Sequence, residues 1–193
     1  MNPKISRLQE KIIKEVAPKL QQKFGFDNIH SIPKLVKVVI NVGIRSDIKD
    51  PKAIDSYVEN LKLITGQQPV KTRAKKSISS FKLRQGQVNG LVVTLRGRRM
   101  YEFLDKLLNV TLARVRDFRG LSEAGFDSKG NYSLGFRDQT PFPEISAEDA
   151  KHLFGLQVTV VVDAPKKEHA KEFLKLIGLP LKADKPQTEK ADK

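Results

Sequence analysis

Between Lys34 and Gly43 the chain reads KLVKVVINVG, in which Leu35, Val36, Val38, Val39, Ile40 and Val42 are apolar and all but the leucine are β-branched. Branching at Cβ crowds the preceding turn of a helix but fits a pleated strand, and the closing glycine marks where such a strand stops. The rest of the fold has to be arranged around a largely buried strand at this point.

Strand-like and helix-like segments alternate on either side of it. Upstream, Leu8, Ile12, Ile13 and Val16 stand at helical spacing, in a helix that Pro18 should end or kink. Downstream, Asp50 can cap a helix with Pro51 at its first position, and Ile54, Val58, Leu61 and Ile64 form a stripe that stops at Gly66. Gln68 to Arg73 and Val88 to Arg96 read as a second and a third strand, with Ser77 to Gly86 projecting between them. The apolar residues Met100, Phe103, Leu104, Leu107, Leu108, Thr111 and Leu112 then recur three and four apart, the period of a buried helical face. Asn131 to Phe136 and the valine-rich Gln157 to Val162 complete the strands, and Pro165 leads into a last helix from Lys166 to Ile177.

This order, β-α-β-β-α-β with an added β-α, predicts an α+β fold of the ferredoxin-like, split βαβ plan. An antiparallel or mixed sheet carries its helices on one face, leaves the other face open and projects a long basic hairpin loop. The 193 residues fit one domain with appendages: a helical lead-in over residues 1–33, a single α+β domain over 34–181 and a disordered tail over 182–193, where KADKPQTEKADK lacks any apolar period.

Charge narrows the function. From Asn60 to Tyr101 there are ten lysines and arginines and no acid, in a chain whose formal charge is +14. A potential of one sign attracts polyanions rather than paired side chains. Within that window Lys71 to Gln87, KTRAKKSISSFKLRQGQ, combines six bases with Ser77, Ser79, Ser80 and Phe81. Lysine and arginine attract phosphate oxygens, the serines add short-range donors, and the guanidinium of Arg84 can also stack on a base. Drawn out as a hairpin, the segment reaches roughly 25 to 30 Å at about 3.3 Å per residue. Phe81 has two readings, a stacking partner for a nucleotide or a pin that holds the loop to the domain. The segment LARVRDFRGL, Leu112 to Leu121, is a second basic constellation. Arg114, Arg116 and Arg119 either reach RNA or merely complement the dipole of an ending helix, with Gly120 as its stop and Asp117 bridging an arginine.

Membrane and enzyme readings find little. No apolar run approaches the roughly 20 residues that span a bilayer, and Met1 to Lys11 lacks a signal-peptide stretch, so a cytoplasmic protein without a membrane partner is expected. Cysteine is absent, His30, His152 and His169 are the only histidines, and none of the common catalytic motifs occurs, so neither a cofactor nor a metal is expected. His152 follows Asp149 by three residues, a pair that suits a surface contact better than a base and its orienter, and Glu144 in FPEI suits a structural hydrogen bond.

Several strings, in this order along the chain, are specific: VVINVGI (Val38 to Ile44), TGQQPVKTRAKKSISSFKLRQGQ (Thr65 to Gln87), VTLRGRRMYEFLDKLL (Val93 to Leu108), RVRDFRGL (Arg114 to Leu121), FDSKGNYSLGFRDQ (Phe126 to Gln139) and FPEI (Phe142 to Ile145). Together they closely resemble large-subunit ribosomal protein number five, the universal 5S-rRNA-binding family, in its bacterial form. The resemblance runs from about Lys34 to Phe173.

It implies a non-catalytic, ribosome-bound constituent of the central protuberance that binds 5S rRNA through the open sheet and nearby loops. Asn41, Gln67 and Thr94 match the family's polar contact positions, with Lys71 and Arg96 beside them. The resemblance further implies that the basic hairpin extends to the peptidyl-site tRNA, which selects Arg73, Lys75, Lys76, Ser77, Ser79, Lys82 and Arg84. The region of Gly130, Asn131 and Tyr132 is implied to lie toward the small-subunit head, where a head protein would be met across an intersubunit bridge; other large-subunit rRNA and proteins complete the expected partners. This chain departs from the family pattern at Ala113, where a proline is usual and a longer helix is therefore expected, and at Thr140 and Pro141. A free-standing RNA chaperone or regulator with the same fold is the alternative.

Overall fold

The computed structural model describes residues 5–44, 51–145 and 153–182. Asp50, the Asp149–His152 pair and the tail beyond Lys182 lie outside the described residues.

The apolar run forms β1 (Lys34–Gly43), the middle strand of a five-stranded sheet of order β2-β3-β1-β5-β4. The others are β2 (Val70–Arg73), β3 (Val88–Leu95), β4 (Tyr132–Phe136) and β5 (Leu156–Asp163). Every pairing is antiparallel. β1 and β2 run the same way with β3 between and against both, which is the split βαβ arrangement and an α+β, ferredoxin-like sheet. β1 is nevertheless not buried on both faces. Val38, Ile40 and Val42 point into the core while Val39 is half-buried and Asn41 exposed, because β1 is paired along both edges but covered on one face only.

The inward face carries α3 (Pro51–Thr65), α4 (Gly97–Lys106) and α6 (Lys167–Ile177). α3 buries Tyr57, Val58, Leu61 and Ile64 and ends at Gly66, whose φ of 66° lets its N–H reach back to the Lys62 carbonyl. α4 buries Met100, Phe103 and Leu104, runs through a π-helical turn (Leu107–Thr111) into α5 (Leu112–Arg114), and so passes Ala113 as expected. The extra residue of that turn leaves Thr111 wholly buried, its hydroxyl without a partner among the described residues. α6 starts one residue later than expected, at Lys167, and packs Ala170, Phe173, Leu174 and Ile177 inward. Lys106 ties the layer together: its ammonium donates to the Ile64 carbonyl at 2.6 Å and to Glu144 at 2.5 Å, the structural role expected of that carboxylate.

Pro18 does not end the first helix. α1 (Arg7–Lys11) passes through a π-helical turn (Ile12–Val16) into α2 (Ala17–Phe24), with Pro18 in its first turn. In an α-helix the Lys14 carbonyl would face the proline ring; the π-turn ahead of it shifts the register, the Ala17 N–H bonding to the Ile12 carbonyl, and the helix continues to Gly25. Leu8, Val16 and Leu20 join the main core, Lys11 donates to the Ile177 carbonyl at the end of α6, and Phe24 and Phe26 flank the His169 ring. Among the described residues no helix is long and apolar enough to cross a membrane.

Candidate nucleic-acid interface

Because the helices occupy one side of the sheet, the alternate residues of its strands form an uncovered surface on the other. The register sets its centre in two rows, flanked by Thr72, Gly90 and Gly43 on one side and by Lys37 and Val161 on the other. One runs Val70, Val92, Asn41, Gln157, Gly135 across β2, β3, β1, β5 and β4; the next runs Thr94, Val39, Thr159, Ser133 across β3, β1, β5 and β4. No member of either row is charged. Asn41, Thr94 and Gln157 are exposed, and Ser133 and Thr159 share a hydrogen bond of 3.0 Å. Uncharged amides and hydroxyls on a broad, shallow surface suit the 2′-hydroxyls and base edges of RNA, which call for directional partners more than for net charge.

Gln67 borders this surface in a supporting position. β2 begins at Val70, opposite Val92, so it stops short of Thr94. The Gln67 Nε2 donates to the Thr94 carbonyl at 3.1 Å and so fills the hydrogen-bonding position that a longer β2 would have taken. Its own N–H bonds the Thr65 hydroxyl at 3.3 Å, and that hydroxyl donates to the Leu61 carbonyl at 2.7 Å, which anchors the segment to the end of α3.

The cationic side chains stand at the rim. Arg96, two residues beyond Thr94 in extended backbone, is exposed at the start of α4, where Arg98 and Arg99 follow. Lys71 stands apart from the group assigned to it by sequence. It pairs in register with buried Leu91, so it lies on the helical side of the sheet, and its ammonium contacts Asp55 of α3 at 2.8 Å.

The basic loop is a folded hairpin rather than an extended finger. Ile78 and Leu83 exchange backbone hydrogen bonds of 2.9 and 3.1 Å, Ala74 bonds Gln87 and Gly86, and a 3₁₀ turn (Ser79–Phe81) ends on Lys82 with φ of 51°. The Ser77 hydroxyl accepts from the Gln85 N–H at 2.9 Å and thus helps to hold the loop's shape. Arg73, Lys75, Lys76, Lys82 and Arg84 are exposed, with no ion pair among the described residues. Ser77, Ser79, Lys82, Leu83, Arg84 and Gln87 surround an open concavity of about 820 Å³. Phe81 is 65 % exposed, so it does not pin the loop to the domain.

The sequence reading misses Gln157, Thr159 and Ser133, which share the open surface with Asn41 and Thr94. Their signal is the alternation L-Q-V-T-V that opens β5, before the run of valines hides it; Leu156, Val158, Val160 and Val162 point inward and the residues between them outward. At the far edge, Asp127 accepts from the N–H groups of Lys129 and Asn131 and from the Asn131 amide, while Asn131 in turn accepts from the Val162 N–H. Partial desolvation pushes the Asp127 carboxyl up, but the hydrogen bonds from Asn131, Lys129 and Gly130 together hold it below the usual aspartate value.

Known proteins give a consistent identification. The family described as Ribosomal protein L5 matches residues 28–84, and the C-terminus of the same ribosomal family matches residues 88–181. The large ribosomal subunit protein uL5 of Syntrophomonas wolfei is 51 % identical over 178 residues, 92 % of this chain and 100 % of that protein. That of Desulforamulus reducens is 51 % identical over 176 residues, covering 91 % and 97 %, and that of Moorella thermoacetica 52 % over 178, covering 92 % and 99 %. With both family regions matched in order and relatives at half identity aligned nearly end to end, this chain belongs to the ribosomal protein L5 family.

Proposed function

We propose that the protein is a structural, non-catalytic constituent of the large ribosomal subunit of a bacterial cytoplasm, that it binds 5S rRNA through the open face of its sheet, and that its basic hairpin contacts the peptidyl-site tRNA. The turn at Gly130, Asn131 and Tyr132 then faces the small-subunit head. The observation that carries this reading is the separation of chemistry on the surface: a central band of uncharged hydrogen-bonding groups around Asn41 and Thr94, with Arg96 and Arg99 at its rim and the hairpin cations free of ion pairs among the described residues. Neutral groups select sugars and nucleobases, and the cations hold phosphates.

Two assays test the division. Asn41→Ala and Thr94→Ala each weaken 5S rRNA binding about fivefold, the loss of one net hydrogen bond of about 1 kcal/mol. Replacing Lys75, Lys76, Lys82 and Arg84 together by alanine leaves most of that affinity intact and lowers retention of tRNA at the peptidyl site of ribosomes carrying the variant. Wild-type binding falls with salt by about 0.7 to 0.9 log units per neutralised phosphate for each log unit of salt. Equal losses in both assays, or wild-type 5S rRNA affinity in the Asn41 and Thr94 variants, overturn the assignment.

A further inference from the structure

The open face and the hairpin leave one basic segment without a role. Arg114, Arg116 and Arg119 are all exposed, and none has an ion pair or a hydrogen bond among the described residues. Helix termination accounts for Arg114, which sits in the last turn, but not for the other two. The helix stops at Arg114 because Val115 turns extended, so Arg116 and Arg119 lie beyond any helix dipole. Gly120, with φ of 87°, comes too late to be the stop, and exposed Asp117 bridges none of the three.

The segment is held in shape by other means. Val115 and Phe118 are half-buried, with Phe118 packed against the core, while the arginines between and beside them point outward. Asp117 takes a left-handed φ of 54°; Lys82 of the basic hairpin is the other non-glycine residue to do so among the described residues. At the far end the Leu121 N–H bonds the Pro180 carbonyl at 2.7 Å and the Lys182 N–H bonds the Leu121 carbonyl at 2.9 Å. Lys182 therefore lies over Gly120, where an added methyl group would stand 3.1 Å from its Cγ, and adds a fourth cation.

We infer that Arg114, Arg116, Arg119 and Lys182 form a second RNA surface, which grips the phosphate backbone of an RNA segment other than the one on the sheet. The segment follows α4 and α5, which pack on the opposite side of the sheet from Asn41 and Thr94, so a second strand or helix can be held without competing for the open face. The inference rests on the reading of the protein as an RNA-binding ribosomal constituent. RNA backbone fits better than an acidic protein for two reasons. Three of the four cations are guanidinium forks matched to phosphate oxygens, and from Arg114 to Leu121 no large apolar side chain is exposed as the aromatic anchors that centre protein interfaces are, Val115 and Phe118 being half-buried.

The test uses the full chain, with Lys75, Lys76, Lys82 and Arg84 replaced by glutamine to silence the hairpin and with 5S rRNA already bound to occupy the sheet. The probe is a labelled A-form RNA duplex of about 20 base pairs of unrelated sequence, long enough to present phosphates across successive grooves. Adding Arg114→Gln, Arg116→Gln and Arg119→Gln should weaken duplex binding about tenfold or more and flatten its log–log salt slope by about 2 to 3, with 5S rRNA affinity within twofold of the parent. The corresponding lysine variant should keep the slope and lose part of the affinity, a result that general misfolding does not give. Unchanged duplex binding overturns the inference. So does a 5S rRNA loss as large as that of Asn41→Ala, which would merge the two surfaces, or stronger competition by polyglutamate than by unlabelled duplex at equal charge, which would make the partner an acidic protein. Failure of the parent protein to bind 5S rRNA would instead strike at the proposed function.

Discussion

Gly130→Ala should be among the most damaging single methyl additions in the molecule. Two separate costs meet there. The residue has φ of 85°, a conformation that disfavours an L side chain by about 1 to 2 kcal/mol. It is also buried against α6: an added Cβ would stand 2.5 Å from Ala170 Cβ and 3.4 Å from Lys167 Cα. Carbon atoms rest at about 3.5 to 4.0 Å, so α6 would have to retreat by roughly 1 Å or more. Buried Phe173, Leu174 and Ile177 on the same helix resist that movement, and overpacking of this kind costs about 1 to 3 kcal/mol. The sum, about 2 to 5 kcal/mol, is a large part of the roughly 5 to 15 kcal/mol that holds a domain folded.

Urea denaturation of the full chain measures the effect, and at an m-value of about 2 kcal/mol per molar the midpoint should fall by about 1 M or more. A double-mutant cycle separates the two causes. Ala170→Gly alone should cost about 1 kcal/mol through helix propensity. Introduced beside Gly130→Ala it should cost far less or restore stability, because it removes the atom struck, which gives a coupling of about 1 kcal/mol or more. Additivity within about 0.5 kcal/mol would refute the collision with α6. A total loss below about 0.5 kcal/mol would refute the backbone argument as well.

Two further outcomes follow from single polar groups. Thr111→Val should raise the urea midpoint, by about 1 kcal/mol in stability, because it replaces a wholly buried hydroxyl that has no partner among the described residues by a methyl group of the same shape; a loss of stability would mean that the hydroxyl is bonded. Asp127 has a folded pKa lowered by its hydrogen bonds, so its contribution to stability is present above the unfolded aspartate value and is lost as pH falls through the lower, folded one. The stability gap between wild type and Asp127→Asn should therefore be widest near neutrality and narrow in acid, and a gap that is constant between neutral and strongly acidic pH would rule out the carboxylate as its source.

What can be read from the sequence is what depends on local period. The five strands and three long helices sit within a residue or two of their expected places because β-branched alternation and three-four spacing are properties of neighbours along the chain. Lys71 shows where this stops. It adjoins Thr72 in a four-residue exposed strand, and only the pairing with Leu91 decides that it faces Asp55 rather than the open surface. Gln157 escapes a reading of the sequence for the same reason, since its place beside Asn41 is created by a strand pairing between distant parts of the chain. Pro18 misleads because a proline announces a conflict with the α-helical register, not how the conflict is resolved; a π-turn removes it without ending the helix.

Three of the local rules that this chain breaks fall where its cationic side chains cluster. Arg98 and Arg99 occupy the first turn of α4, where exposed N–H groups favour acids, and no acid is present there; Glu102, 2.6 Å from Arg98, offsets part of a penalty of about 0.3 to 1 kcal/mol per charge. Lys82 and Asp117 take left-handed backbone that glycine would adopt more easily, one in the hairpin and one in the arginine segment. A fold selected for stability alone would place an acid at the start of α4 and glycine at both turns. Lys82 at its turn is exposed and lines the concavity of the hairpin, while the turn at Asp117 lets Arg116 and Arg119 both stay outward around a half-buried Phe118. Phosphate bound at these places would remove the electrostatic part of the penalty and leave the backbone strain, so RNA binding should stabilise these basic segments more than it stabilises the core between sheet and helices.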